Sequence, residues 1–86
     1  MENEDFRGLE ERLDKLDWPS VYMFKFIVPV EKEEELLLLF NSTPVERKVS
    51  KTGKYVGITS SYWIQSGSEV IEVYKKASVI DGIVSL

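Results

Sequence analysis

Residues 21–28, VYMFKFIV, decide the fold of this chain. The stretch is rich in β-branched and aromatic residues and is followed by Pro29, a pattern typical of a β-strand. Side chains alternate across a strand. One set of alternate positions is wholly apolar and aromatic and predicts the core side: Tyr22, Phe24, Phe26 and Val28. The other set is apolar apart from one lysine and predicts a partly exposed side: Val21, Met23, Lys25 and Ile27.

The segments on either side of this strand complete a βαββαβ order. The predicted elements after the first strand are a helix over 31–40, a strand over 45–50, a hairpin tip at 51–54, a strand over 55–61, a helix opening at 66–69 and a strand over 83–86. This order is typical of the split βαβ, ferredoxin-like arrangement. We therefore predict an α+β fold with a four-stranded antiparallel sheet in the order 4-1-3-2. Both helices would cover one face of the sheet and leave the other face open.

The N-terminal segment is predicted to be separate from this unit. Residues 2–16 carry apolar side chains at helical spacing among acids and bases, which predicts a short amphipathic helix. The expected organisation is a helical extension over 1–17 and a ferredoxin-like, ACT-like domain over 18–86. Leu37 and Leu38 fall partly outside the sheet-facing stripe of the 31–40 helix and need a cover, either the N-terminal helix or a partner chain. Trp18 and Trp63 are interpreted as lying in connecting segments at the ends of the core.

The composition excludes several classes of site. The 86 residues include no His and no Cys, and 15 acidic against 11 basic residues give a net charge of −4. Disulfides, thiolate nucleophiles, Cys-type zinc sites and Ser-His-Asp chemistry are therefore excluded within this chain. We expect no enzyme activity, no cofactor and no metal site, and the acidic balance argues against nonspecific nucleic-acid binding.

Two further expectations concern membranes and location. The longest apolar run, Leu36 to Phe40, is far too short to span a bilayer, so no membrane partner is expected. The acidic start of the chain opposes a signal peptide, and the predicted location is the cytoplasm.

Basic residues gather in the predicted hairpin. Residues 45–56 contain one acid, Glu46, and four bases that are candidates for contact with an anion or an acidic partner: Arg47, Lys48, Lys51 and Lys54. The alternative is that these charges only prevent edge-to-edge aggregation of an edge strand.

The open sheet face is the second candidate site. Its predicted members combine apolar and polar side chains: Met23, Lys25, Ile27, Tyr55 and Thr59. A protein interface is favoured, since RNA-binding sheets of this kind present aromatic residues on both central strands. Tolerated, scattered surface apolars are the alternative. The short strand over 83–86 is either a place for strand addition or too short to recruit another chain.

Three segments carry a resemblance to a known family: VYMFKFIVP, RKVSKTGKYVGIT and VIEVYKKASVIDGIVSL. Over residues 18–86 the chain resembles the YbeD-like domain-of-unknown-function family of small bacterial proteins. The resemblance implies an ACT-like βαββαβ fold and a regulatory or interaction role without catalysis. The turn at 28–31 departs from the Gly-containing turn where ACT domains often bind amino acids, and four glutamates lie close to it.

Two functional hypotheses follow. The first is a non-catalytic regulatory or interaction module that binds a protein partner or forms a homodimer. The second is a sensor domain for a small ligand, an amino acid or another carboxylate.

Overall fold

The computed structural model describes residues 2–40 and 43–86, and for residues 2–7 it describes the backbone alone. The helices are α1 (Glu2–Asp14), α2 (Glu33–Leu37) and α3 (Gly67–Ala77), and the strands are β1 (Ser20–Pro29), β2 (Glu46–Val49), β3 (Tyr55–Ile64) and β4 (Val84–Ser85). Single 3₁₀ turns, Val30–Lys32 and Leu38–Phe40, flank α2. Residues 41 and 42, which belong to the turn predicted after the 31–40 helix, lie outside the described residues.

The four strands form one antiparallel sheet in the order β2-β3-β1-β4. This is the predicted order read from the opposite edge. The two central strands pair over ten residues each, from Ser20 opposite Ile64 to Pro29 opposite Tyr55. The α+β class and the four-stranded antiparallel sheet are confirmed, and the arrangement is compatible with a ferredoxin-like fold. The outer strands β2 and β4 are much shorter than the strands they border.

The core lies between one face of the sheet and the helices. The even-numbered positions of β1 supply it as predicted, since Phe24, Phe26 and Val28 are buried. Phe24 lies at the centre of an aromatic cluster, with its ring centroid 5.8 Å from that of Phe40 and 5.6 Å from that of Tyr74. Residues from all three helices and from the connections complete the core: Leu13, Leu36, Phe40, Val70, Ile71, Ala77 and Ile80.

The helix predicted over 31–40 is broken into shorter pieces. Only Glu33–Leu37 is α-helical. Leu36 and Phe40 are the buried residues of this segment, and Leu37 and Leu39 are partly buried against the core. Leu38 remains 70% exposed. Helix α1 does not cover it, because α1 packs against α3 instead. The sequence suggested that either the N-terminal helix or a partner chain covers Leu37 and Leu38. The N-terminal helix does not cover Leu38.

Helix α1 contributes directly to this core. Leu13 is 2% exposed and belongs to the buried cluster. The Trp18 indole N–H donates a hydrogen bond to the Leu13 carbonyl at 2.9 Å, which ties the end of α1 to the start of β1. Gly67 allows α3 to approach closely, because a Cβ at this position would lie 3.1 Å from the Leu13 Cβ. The contact through Leu13 makes α1 part of the packed unit.

None of the helices in the described part of the chain is both long enough and apolar enough to cross a membrane.

Candidate protein-interaction face

The face of the sheet turned away from the helices, called the open face below, is built from the odd-numbered residues of β1 and β3 and their cross-strand neighbours. Ten large apolar side chains are exposed among the residues whose side chains the structure describes. Six of them lie on the open face by their strand register: Val21, Met23, Tyr55, Trp63, Val84 and Leu86. Exposed apolar area is therefore concentrated on one side of the molecule, which is typical of an interaction surface.

The structure brings all five predicted members of this face together. Lys25 lies directly opposite Thr59, while Met23 and Ile27 are their neighbours along β1. Tyr55 lies opposite Pro29 at one end of the face. In this register, odd-numbered residues of β1 lie opposite odd-numbered residues of β3. Residues that lie directly opposite each other in an antiparallel pair share a side, so all five lie on the open face, as predicted.

Sequence reasoning missed the aromatic residue at the other end. Trp63 does not lie in a connecting segment, because β3 continues three residues beyond its expected end at Ser61. It pairs with Val21 and is 59% exposed. Exposed Ser61 and Trp63 alternate with half-buried Tyr62 and buried Ile64, as expected for a strand that continues to Ile64. Trp18, in contrast, does lie in a connection, between α1 and β1, and is half-buried.

A trough runs along the middle of the open face. On this side β3 carries the small residues Gly57, Thr59 and Ser61, whereas its two ends carry Tyr55 and Trp63. Longer side chains border the trough: Met23, Lys25 and Ile27 on β1, and Glu46 and Lys48 on β2. Strand spacing places these two borders about 10 Å apart, and the aromatic ends are about 26 Å apart along β3. An open depression of about 930 Å³ lies over the part lined by Lys25, Lys48 and Tyr55.

The predicted basic cluster is divided between the two faces of the sheet. Lys48 lies on the open face opposite Gly57, and Lys51 at the hairpin tip lines the same depression. Arg47 is opposite Ile58 and therefore lies on the helix side. Lys54 is exposed beside the tip and does not line the depression. Lys25, already a predicted member of the open face, also lines the depression, so its border carries three lysines and Glu46.

Arg47 already has a partner. Its Nε and one terminal nitrogen donate to the two carboxylate oxygens of Glu33, at 2.6 Å and 2.8 Å. This bidentate pair connects β2 to α2. The hydrogen bond from Arg47 lowers the pKa of Glu33, and the same contact raises the pKa of Arg47. Arg47 is therefore paired within the fold, whereas Lys48 and Lys51 form no ion pair in the described part of the chain.

The lowered pKa of Glu33 predicts a pH-dependent effect on stability. The pair stabilises the fold above the pKa that Glu33 has in the unfolded chain, and this contribution is lost as the pH falls through the lower pKa of the folded state. We therefore expect Glu33→Gln to lower the melting temperature at pH 7 and to have no effect at pH 2. Thermal unfolding followed by circular dichroism measures the difference. Glu34→Gln, an exposed neighbour in α2, is the control, and an equal effect of the two variants would contradict the assignment.

The remaining perturbed groups lie on the core side. Burial, and then the hydrogen bond to the Tyr22 hydroxyl, raises the pKa of Tyr74, and burial raises the pKa of Tyr62. Both phenols therefore stay protonated at neutral pH. Within residues 8–40 and 43–86, no three Asp or Glu side chains lie together in a way that could hold a metal ion. The open face thus offers apolar, aromatic and cationic contacts.

Comparison with known proteins supports the fold. The chain is similar to the solution structure of protein HP0495 from H. pylori, with a TM-score of 0.60 and 23% sequence identity over 84% of this chain and 86% of that one. No protein-family model matches the chain. A search of the curated proteins also finds no match. At this level of identity the likeness concerns the fold, a small α+β domain with an antiparallel sheet.

Proposed function

We propose that this chain is a non-catalytic interaction module with a ferredoxin-like, ACT-like fold, and that it binds a protein partner through the open face of its sheet. The concentration of exposed apolar side chains on that face carries the proposal. The helices use the opposite face for the core, so the apolar side chains of the open face contribute little to folding. The resemblance to the YbeD-like family points to the same class of role.

The charge around the trough indicates the chemistry of the partner. Lys25, Lys48 and Lys51 line the depression, and none of them forms an ion pair within the described part of the chain. Glu46 is the acidic residue among those lining it. A partner surface with apolar side chains at its centre and carboxylates at its rim matches this arrangement, and rim charges of this kind govern association rates and salt dependence.

Photo-cross-linking tests the location of the partner site. A photoreactive phenylalanine analogue at position 63 is expected to cross-link a protein in lysate of the source organism. The same analogue at position 79 is the control, because Val79 is also exposed but lies outside the sheet. Met23→Gln is expected to abolish the cross-link from position 63, since Met23 borders the trough. Identical products from both positions would contradict a site on the open face.

The charge of the partner is tested separately with the cross-linked protein in hand. Lys48→Glu combined with Lys51→Glu is expected to weaken binding several-fold at low salt and less at high salt, because exposed charges are screened. Lys75→Glu combined with Lys76→Glu is the matched control, since these lysines lie in the last turn of α3. Surface plasmon resonance at two salt concentrations measures both.

Two other outcomes would replace this proposal. If the pure protein cross-links to itself and light scattering finds a dimer at high micromolar concentration, the open face is the homodimer interface. If protein binding survives the lysine substitutions while stabilisation by a small carboxylate such as glutamate is lost, the ligand-sensor function would be the better description of the site.

A further inference from the structure

Gly57 is an unusual residue for the interior of a central strand. Glycine weakens a strand there, and it often marks a bulge or a place where a ligand or another backbone approaches closely. No bulge is present, because β3 pairs residue by residue with β1 over its whole length and with β2 over four residues. The backbone does not need glycine either, since its φ is not positive, in contrast to Gly53 and Gly82.

The fold also leaves room for a side chain at this position. A Cβ built on Gly57 would lie 3.8 Å from the carbonyl oxygen of Lys48 and 4.0 Å from that of Phe26, both ordinary van der Waals distances. It would stand on the open face, in the floor of the trough, because Gly57 lies opposite Ile27. Packing within the described chain therefore does not account for this glycine, and a close approach by another molecule does.

The dimensions of the trough match the ridge of an α-helix. A helix with its side chains is about 10–12 Å across and rises about 1.5 Å per residue. Its apolar ridge fits between the borders on β1 and β2, and about 17 helical residues span the distance from Tyr55 to Trp63. A second sheet presents a flatter surface, which the aromatic side chains at both ends would hold away from the floor.

Hydrogen bonding favours a helix over an extended segment in this position. The N–H and C=O groups of β3 lie in the plane of the sheet, where they pair with β1 and, in the first half of the strand, with β2. They are not available to a chain that lies on top of the sheet. An extended segment there would bury its own amide groups without partners, whereas a helix satisfies its backbone groups internally.

Charge is unequal at the two ends of the trough. At the Tyr55 end, β2 and the hairpin tip supply Lys48 and Lys51, and neither forms an ion pair with a described residue. Glu46 lies nearer the middle. At the Trp63 end, the paired positions of β1 and β3 carry no charge. A bound helix is therefore expected to carry carboxylates at the end near the two lysines and apolar side chains along the rest.

We propose that the partner of the open face binds through an amphipathic α-helix that lies along the trough. This inference rests on the protein-binding function proposed above and specifies the part of the partner that enters the site. The helix brings a stripe of apolar side chains over Gly57, Thr59 and Ser61, and carboxylates toward Lys48 and Lys51. The small residues of the floor let this stripe come closer to the sheet than larger side chains would allow.

A designed helix tests the fit. The probe is the peptide acetyl-EQELEQQLQQLAQALAQ-amide, which has leucines along one side, glutamates at one end and a hydrocarbon staple between two glutamine positions on the polar side. Titrated into ¹⁵N-labelled protein and followed by NMR, it is expected to shift the amides of Gly57 and Thr59 and the indole N–H of Trp63. A stapled peptide of the same composition in scrambled order is the control and should not cause these shifts. Replacing the glutamates by lysine is expected to weaken binding several-fold at low salt.

Gly57→Val tests the close approach directly. The added side chain fills the trough and is expected to weaken peptide binding about tenfold or more, the usual scale of overpacking a fitted contact. The melting temperature should stay unchanged or rise, because valine favours strands and glycine weakens them. Thr59→Val is the matched control, since it keeps the volume of the floor, and it should bind the peptide as the wild-type protein does.

Three results would overturn the helix: equal binding by Gly57→Val and the wild-type protein, equal shifts with the scrambled peptide, or no shift on the open face with the designed one. If a lysate protein still cross-links from position 63 in that case, the proposed function stands and only the helix is wrong. Absence of the cross-link as well would remove the protein-binding function. A dimer of the pure protein that buries Gly57 would also overturn the helix, in favour of self-association.

Discussion

Phe24→Ala is expected to destabilise the protein by about 3–5 kcal/mol, the usual cost of truncating a buried aromatic side chain to alanine. Phe24 is fully buried at 0% exposure, and its ring contacts aromatic neighbours from β1, β3, α3 and the segment after α2. Removing the ring leaves a cavity between the sheet and the helices. Because a domain of this size has a small stability margin, the loss consumes much of it. Urea unfolding followed by circular dichroism measures the change.

The adjacent residue provides the control for this prediction. The Met23 side chain lies on the side of β1 opposite to that of Phe24 and is 59% exposed. Met23→Ala is therefore expected to change stability by less than about 1 kcal/mol. The pair of variants therefore tests which side of β1 supports the fold. A large loss from Met23→Ala would show that the open face is packed, which would also remove the basis for a partner site there.

Leu13→Ala is expected to cost about 2–5 kcal/mol, as for other buried leucines. Among the α1 residues whose side chains the structure describes, Leu13 is the one that is buried, and it packs where Gly67 brings α3 close. The substitution removes the buried side-chain atoms beyond Cβ and leaves a cavity in this part of the core. Thermal or urea unfolding of the full chain gives the value, and the loss should appear as a single cooperative transition, since α1 and the sheet share one core.

Leu16→Ala is the matched control, because Leu16 lies three residues further along and is 50% exposed. We expect it to change stability by no more than about 0.5 kcal/mol. Equal effects of the two leucine substitutions, or a separate low-temperature transition for α1, would show that the N-terminal helix is an independent extension, as the sequence pattern suggested.

Strand β1 shows how much of the fold could be predicted from local pattern. Its strict alternation identified Phe24, Phe26 and Val28 as core residues and Met23, Lys25 and Ile27 as neighbours on the opposite side. The βαββαβ order then indicated which strands lie at the centre of the sheet. Both inferences depend on short-range geometry, since the side-chain period of a strand is two whatever lies around it.

The candidate site shows where local pattern is insufficient. Four bases within eight residues of the hairpin region resemble one cluster in the sequence, yet the pleat of β2 places Arg47 and Lys48 on opposite sides of the sheet. Glu33 then pairs with Arg47 across 14 positions of sequence. Trp63 was missed because the end of β3 depends on how far β1 continues beside it. Neither feature is visible until the strand register is known.

The sequence by itself determined the alternation of β1, the order of the elements, the absence of His and Cys chemistry and the location of the charged residues along the chain. These properties follow from side-chain type and local periodicity. Only the tertiary structure decided that α1 joins the core through Leu13 and that Trp63 and Tyr55 end the open face. These outcomes depend on which residues distant in sequence pack or pair, and the free energy of such contacts is set by the whole fold.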